Sequence, residues 1–228
     1  MRTDGPRAAV IAAGQRLVVR QGLEFTVHEL VAEAGVALQT FYRYFGGRDH
    51  LLVALIGDQI AEHCERLRVT AASKRAPVAR LRTHLRTTLA PLPRAELARA
   101  RFIAGEHWRL HQLLPEQLAE ATQPFADLIR EELDAGEAIG TLHPRHAFLD
   151  AWLITRTVMS TVHHFAFFPS DWSTVIANEV AEHCIALVGG EVLPPAELPN
   201  GALWSPSTST ARRPPRAPAS RRGAGPAA

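Results

Sequence analysis

Apolar residues recur along this chain at three- and four-residue intervals, and the runs are separated by proline and glycine rather than by hairpin signals, a pattern that predicts helices. Val10, Ile11, Ala13, Leu17 and Val18 form the apolar side of a first helix that Pro6 can open and Gly22 stops. Leu30, Val31 and Ala34 do the same for a short second helix. Its start is written in Thr26 to Glu29, a capping box in which the Thr hydroxyl accepts from the backbone at Glu29 and the Glu carboxylate reaches back to Thr26. Gly35 suits the left-handed position that closes such a helix. Val36, Phe41 and Phe45 then fall about one turn apart on a third short helix, and Gly46 and Gly47 end it. Leu51, Leu52, Leu55, Ile56, Ile60, Cys64 and Leu67 mark a long fourth helix, which begins against the first three and leads away from them. After Ser73 to Pro77, helices are expected near 77–90, 94–112, 115–136, 144–168 and 171–188. Pro91 and Pro93, Pro115, the Gly136 to Gly140 turn, and Pro169 with Ser170 separate them. The class is all-α, about nine helices, with a small three-helix head and a larger helical bundle.

A short helix, a glycine turn and a second short helix make a helix-turn-helix, whose second member enters the DNA major groove. With Val36, Phe41 and Phe45 turned inward, Leu38, Gln39, Thr40, Tyr42, Arg43 and Tyr44 are left on the other faces, where they can touch a phosphate or a base edge. Ala37 lacks a capping hydroxyl, which costs this helix about 1 kcal/mol at its start.

Residues 7–56 resemble the N-terminal domain of the TetR family of bacterial one-component regulators. The likeness is carried by Phe25 and Thr26, the run LVAEAGVALQTFYRYF, the Gly pair, and Arg48, Asp49 and Leu51. The resemblance implies that Thr40, Tyr42, Tyr44 and Arg48 anchor phosphates and that Leu38 and Gln39 lie nearest the bases; from their positions beside these residues, Thr26, His28 and Arg43 are also expected in the DNA-binding set. This chain departs from the family pattern at Ala37, where a small hydroxyl residue is usual, and at Arg48, where Lys is commoner; Arg keeps the charge and adds a fork suited to phosphate. The resemblance also implies a homodimer made by the last two helices as a four-helix bundle, a ligand cavity among the middle helices, and a repressor that leaves a palindromic double-stranded operator when a small, largely apolar effector binds.

Composition adds limits. With 228 residues, 46% hydrophobic and 21% charged, the chain can bury a substantial core, and its formal charge of +2 means that affinity for DNA must come from locally placed cations. Cys64 and Cys184 offer no disulfide framework and fit a reducing cytoplasm. Arg2, Asp4 and Arg7 interrupt any signal-peptide pattern, and no apolar run approaches the roughly 20 residues of a membrane helix. Beyond Glu191 lie eight of the sixteen prolines and five arginines, a composition that predicts a disordered tail. The expected division is 1–47 for the DNA-binding head, 48–190 for ligand binding and dimerisation, and 191–228 for the tail.

His107 and His111 stand four apart without an Asp, Glu or Cys at ligand spacing, and the tetrapeptide AEHC occurs at both Ala61 and Ala181 with its adjacent His and Cys pointing about 100° apart on a helix, so no metal is expected. Glu106, His107, Asp150 and His163 share no catalytic spacing, and no Ser or Cys stands in a strained turn, so neither an enzyme nor a cofactor is expected. The segment Ala151 to Phe168 is apolar on nearly all faces, which predicts burial on two sides, and its lone Arg156 calls for an internal acid or an anionic ligand. The effector cavity is expected between His107, Trp108 and His111 on one wall and Trp152, Arg156, Met159 and His163 on the other. The alternative from a different class is a helical sensor or binding module that acts through a protein partner without binding DNA.

Overall fold

The computed structural model describes residues 5–91, 96–168 and 173–195. Among these residues the regular structure is nine α-helices: α1 (Pro6–Gln21), α2 (Val27–Ala34), α3 (Leu38–Tyr44), α4 (Arg48–Ala71), α5 (Pro77–Leu89), α6 (Leu97–Leu113), α7 (Pro115–Ala138), α8 (Ala147–Phe167) and α9 (Ser173–Leu187). The protein is all-α, with an N-terminal helix-turn-helix head on a larger helical domain.

The head is fixed by local chemistry. Thr26 caps α2 with the full reciprocal box: its Oγ1 accepts from the Glu29 N–H at 3.2 Å, and its own N–H donates to Glu29 Oε2 at 2.7 Å. Gly35 closes α2 at φ 66° and ψ 32°, a conformation that an L side chain adopts only with strain. Ala37 precedes α3 in extended conformation and gives no side-chain cap, so packing must hold this seven-residue helix. Phe41 supplies that packing. It is fully buried, and its ring stacks on Phe45 at 5.5 Å. Arg16 and Arg20 of α1 both reach Glu33 of α2, at 2.8 and 3.3 Å.

Helix α4 has 24 residues and is therefore about 36 Å long. Leu51, Leu52, Leu55 and Ile56 bury its first half against the head, and Cys64, Leu67 and Ala71 bury its second half in the larger domain. Helix α7 lies along it so closely that a Cβ at Gly57 would stand 3.2 Å from the Ala121 methyl. Two partly buried ion pairs tie α5 into the bundle, Arg80 to Glu132 of α7 at 2.8 Å and Arg82 to Glu182 of α9 at 2.9 Å.

The structure moves three expected boundaries. Helix α8 starts at Ala147 rather than 144, because residues 141–143 are tied elsewhere. The Leu142 side chain lies fully buried against Gly136, and the His143 N–H donates to the Val188 carbonyl at 2.6 Å. Asp150 Oδ2 then accepts from the His146 N–H at 3.1 Å and fixes the new start. Helix α7 runs on past Gly136 to Ala138, with Pro124 inside it. Disorder from residue 191 is corrected at its first residues, since the Glu191 carbonyl accepts from Arg82 and the Leu193 N–H donates to Glu182 at 3.0 Å. The remainder of the expected tail, the first residues of the helix placed at 94–112, and the break at Pro169 and Ser170 lie outside the described residues. Among the described residues no helix is long and apolar enough to cross a membrane.

Candidate nucleic-acid interface and ligand cavity

Because Phe41 and Phe45 occupy the inner face of α3, its outer face is presented to solvent. Gln39, Tyr42, Arg43 and Tyr44 are exposed there, while Leu38 and Thr40 are half-buried; Thr26, the cap of α2, and His28 in its first turn are exposed as well. Leu38 packs in part on the head's core, which leaves only part of its side chain for any other contact. Tyr42 sets its ring edge-on to Phe41 at 5.1 Å, and the Arg43 guanidinium lies 5.1 Å over Tyr44. The Thr26 hydroxyl is engaged in the capping box, accepting from Glu29 N–H and donating to Glu29 Oε2.

Arg48, at the start of α4, is not a free cation. Its guanidinium donates to the Leu23 carbonyl and sits 5.6 Å over the Phe25 ring, pinning α4 to the loop between α1 and α2. Arg7 contributes a further cation 5.9 Å over Phe45, which the helical pattern of α1 gave no reason to single out.

The larger domain has a half-open cavity of about 180 Å³ between α4, α5, α6, α7 and α8. Its apolar wall is made by Ile60, Ile103, Phe125, Met159 and Val162, and its inner polar groups are Gln59, His63, Thr88 and His163. Glu62, Arg66, Glu96 and Arg99 also line it. Gln59 is 9% exposed, yet its amide nitrogen meets no partner. His63 is better satisfied: its Nδ1 accepts from Arg66 at 3.4 Å, so its Nε2–H donates to Thr88 at 2.9 Å. Burial pushes His63 down to about 4 and also lowers His163, so both are uncharged at neutral pH.

Of the seven residues expected at the pocket, Met159 and His163 lie on this wall. His107 stands just behind it, with its ring 5.3 Å from His163 and its Nδ1 buried without a partner; burial pushes it down to about 4. His111 is exposed, stacked between His107 and Trp108, and Trp108 is 69% exposed because α6 turns it outward. Trp152 is likewise on the outside, and Arg156 lies 5.3 Å over its ring. Asp150, committed to the start of α8, does not meet that arginine. Trp108, His111 and Trp152 are therefore exposed rather than on this cavity wall, and Arg156, half-buried and close enough to His107 to help lower it, is not among the lining residues either. Gln59 and His63 are the groups the sequence reading missed. They stand four residues apart and interrupt the apolar stripe of α4, a signal that was present. No group of three or more His, Cys, Asp or Glu could hold a metal ion among the described residues, and the buried Cys64 and Cys184 are unpaired.

Two paths join the cavity to the head. Helix α4 runs unbroken from Arg48 to Gln59 and His63, a rise of about 16 to 22 Å. Helix α6 touches the cavity through Arg99, Ala100 and Ile103, and farther along it Arg109 reaches Asp49 of α4 at 2.8 Å while also holding Glu106 at 2.6 Å. That pairing lowers the Asp49 carboxyl below the usual range, chiefly through the hydrogen bond from Arg109.

Comparison with known proteins agrees with this geometry. Residues 10–55 match the family model described as bacterial regulatory proteins, tetR family. No curated protein matches the sequence. Among solved structures, the Thermus thermophilus repressor FadR in complex with lauroyl-CoA is 23% identical, with a TM-score of 0.62 over 86% of this chain and 100% of that one. RolR in complex with resorcinol is 18% identical, with a TM-score of 0.61 over 82% and 88% of the two chains. Reduced NemR from E. coli is 16% identical, with a TM-score of 0.58 over 84% and 100%. Its N-terminal head thus matches the tetR-family model over residues 10–55, and its overall fold is that of these solved structures.

Proposed function

We propose that the protein is a repressor that binds a palindromic operator as a homodimer and leaves it when a small molecule enters the cavity of the larger domain. The observation that carries this reading is α4, one unbroken helix with Arg48 fixed to the head's loop between α1 and α2 at its start and with Gln59 and His63 in the cavity wall. In this reading residues 1–47 are the reading head and 48–190 bind ligand and dimerise. Gln39 and the free part of Leu38 meet bases; Thr40, Tyr42, Tyr44 and Arg48 meet phosphates, with Thr26, His28 and Arg43 close by. Dimerisation is supported by an exposed apolar stripe on α8, where Phe148, Leu149, Trp152, Leu153 and Phe167 are each 39% or more exposed. Two-fold symmetry doubles the contact with a palindromic site.

Similar folds hold resorcinol or lauroyl-CoA, which supports a small-molecule effector here. The effector acts by preferring a conformation in which α4 and α6 hold the two heads out of register with successive major grooves, and it shifts the equilibrium only by its difference in affinity for the two states. The chain acts by binding rather than by catalysis. The test is fluorescence anisotropy on duplex DNA at several salt concentrations, with sedimentation of the same sample. The expected result is a dimer whose log K falls linearly with log salt; a monomer, or affinity indifferent to salt, would contradict the reading.

A further inference from the structure

The cavity's inner surface specifies a kind of ligand. At about 180 Å³ it is slightly larger than a cavity of roughly 150 Å³ that admits benzene, so it has room for one ring, with its mouth open to solvent. Ile60, Ile103, Phe125, Met159 and Val162 offer that ring an apolar bed. The polar demand comes from two places. Gln59 is more than nine-tenths buried with an unpartnered amide nitrogen, and a donor stranded in this way is destabilising until an acceptor meets it. His163 Nε2 is buried and equally unpartnered.

Charge is the remaining variable. The inner polar groups, Gln59, His63, Thr88 and His163, are all neutral. The charged lining residues, Glu62, Arg66, Glu96 and Arg99, are two of each sign, and Arg66 is paired to Glu62 at 3.1 Å. Arg156, which could have served an anionic ligand, is not among the lining residues and lies over the Trp152 ring. An ionised carboxylate carried to the Gln59 end would lose its hydration among uncharged groups.

We infer that the cavity takes an uncharged molecule the size of a single aromatic ring, with a hydroxyl or carbonyl group that accepts from the Gln59 amide and a polar group that pairs with His163. The inference rests on the proposed effector role of this cavity and narrows it to a class of ligand.

The test is calorimetric titration of the full chain with phenol and benzyl alcohol, and with benzoate as the anionic counterpart. Phenol or benzyl alcohol is expected to bind at least tenfold more tightly than benzoate. Gln59→Leu, which keeps the side chain's bulk and removes its amide, is expected to weaken that binding about tenfold, which corresponds to about 1.4 kcal/mol. Should Gln59→Leu not fold, His163→Phe is read in its place with the same expectation. Benzoate binding as tightly as phenol would overturn the inference, as would a folded variant with undiminished affinity or no binding by either neutral probe. The same samples are then assayed on duplex DNA. Failure to bind duplex overturns the regulator reading and leaves a positive titration standing; duplex binding released only by carboxylates overturns the inference and leaves the regulator standing.

Discussion

Replacing Arg48 by alanine removes a guanidinium that holds α4 to the head and that, in the proposed function, also meets a phosphate. The structural part can be sized from its contacts. The hydrogen bond to the Leu23 carbonyl is exposed and so contributes about 0.5–1.5 kcal/mol, and the cation over Phe25 adds about 0.5–1 kcal/mol. Against this, a positive charge at the start of a helix is opposed by the helix dipole by about 0.3–1 kcal/mol, a cost that the substitution relieves. The net loss expected is about 1 kcal/mol. With a urea slope of roughly 2 kcal/mol/M, the unfolding midpoint should fall by about 0.5 M. On duplex DNA the plot of log K against log salt should flatten by about one unit, and Arg48→Lys should restore the slope. An unchanged midpoint would refute the contact energies. An unchanged slope in folded protein would remove Arg48 from the phosphates.

Three further outcomes follow from the same geometry. A double-mutant cycle of Asp49→Asn and Arg109→Met should give a coupling of about 0.5–1 kcal/mol, discounted because both side chains are about two-fifths exposed; the Asp49 contribution should persist above its ordinary pKa near 4 and fade at lower pH, and a coupling of zero would mean that α6 has no grip on α4. His63 and His107 are held at about 4 in the folded chain against about 6.5 unfolded, so their contribution is complete above pH 6.5 and is lost as pH falls towards 4; urea midpoints should decline across that window by up to about 1.4 kcal/mol per pH unit for each histidine, and a flat profile would deny their burial. Phe148→Glu combined with Leu153→Glu puts two charges into the exposed stripe of α8, where both residues lie outside the core, and should yield folded monomer at micromolar concentration; a dimer in sedimentation would move the interface elsewhere.

The head was legible because its signals are local. A capping box, a left-handed glycine and two phenylalanines one turn apart name α2, the turn and α3 without reference to the rest of the chain. The start of α8 was not legible, since it depends on Leu142 filling the space beside Gly136 and on a hydrogen bond to Val188, some 45 residues away in sequence. The same limit explains the cavity. Periodicity groups residues on a helix face but does not say what that face meets, so Trp108 and Trp152 looked like walls and lie outside. In the apolar segment of α8, Val158 and Phe165 belong to the chain's own core, while Trp152 and Phe168 are exposed. Arg156 called for an acid or an anion and found an aromatic ring, a partner that charge arithmetic omits. Gln59 and His63 were readable in principle as polar residues set into an apolar stripe, which is where a helix meets a cavity rather than a neighbour.

The central claim is that two copies of the α3 face read DNA together. Repeated selection of bound duplexes from a random pool by the full chain, at about 0.15 M salt, tests it most directly. The account predicts enrichment of a palindrome whose half-sites are one or more helical turns apart, about 10 base pairs or a multiple, with preference at one or two positions per half-site altered by Gln39→Ala. Enrichment of an unpaired half-site, or of no sequence at all, would contradict it.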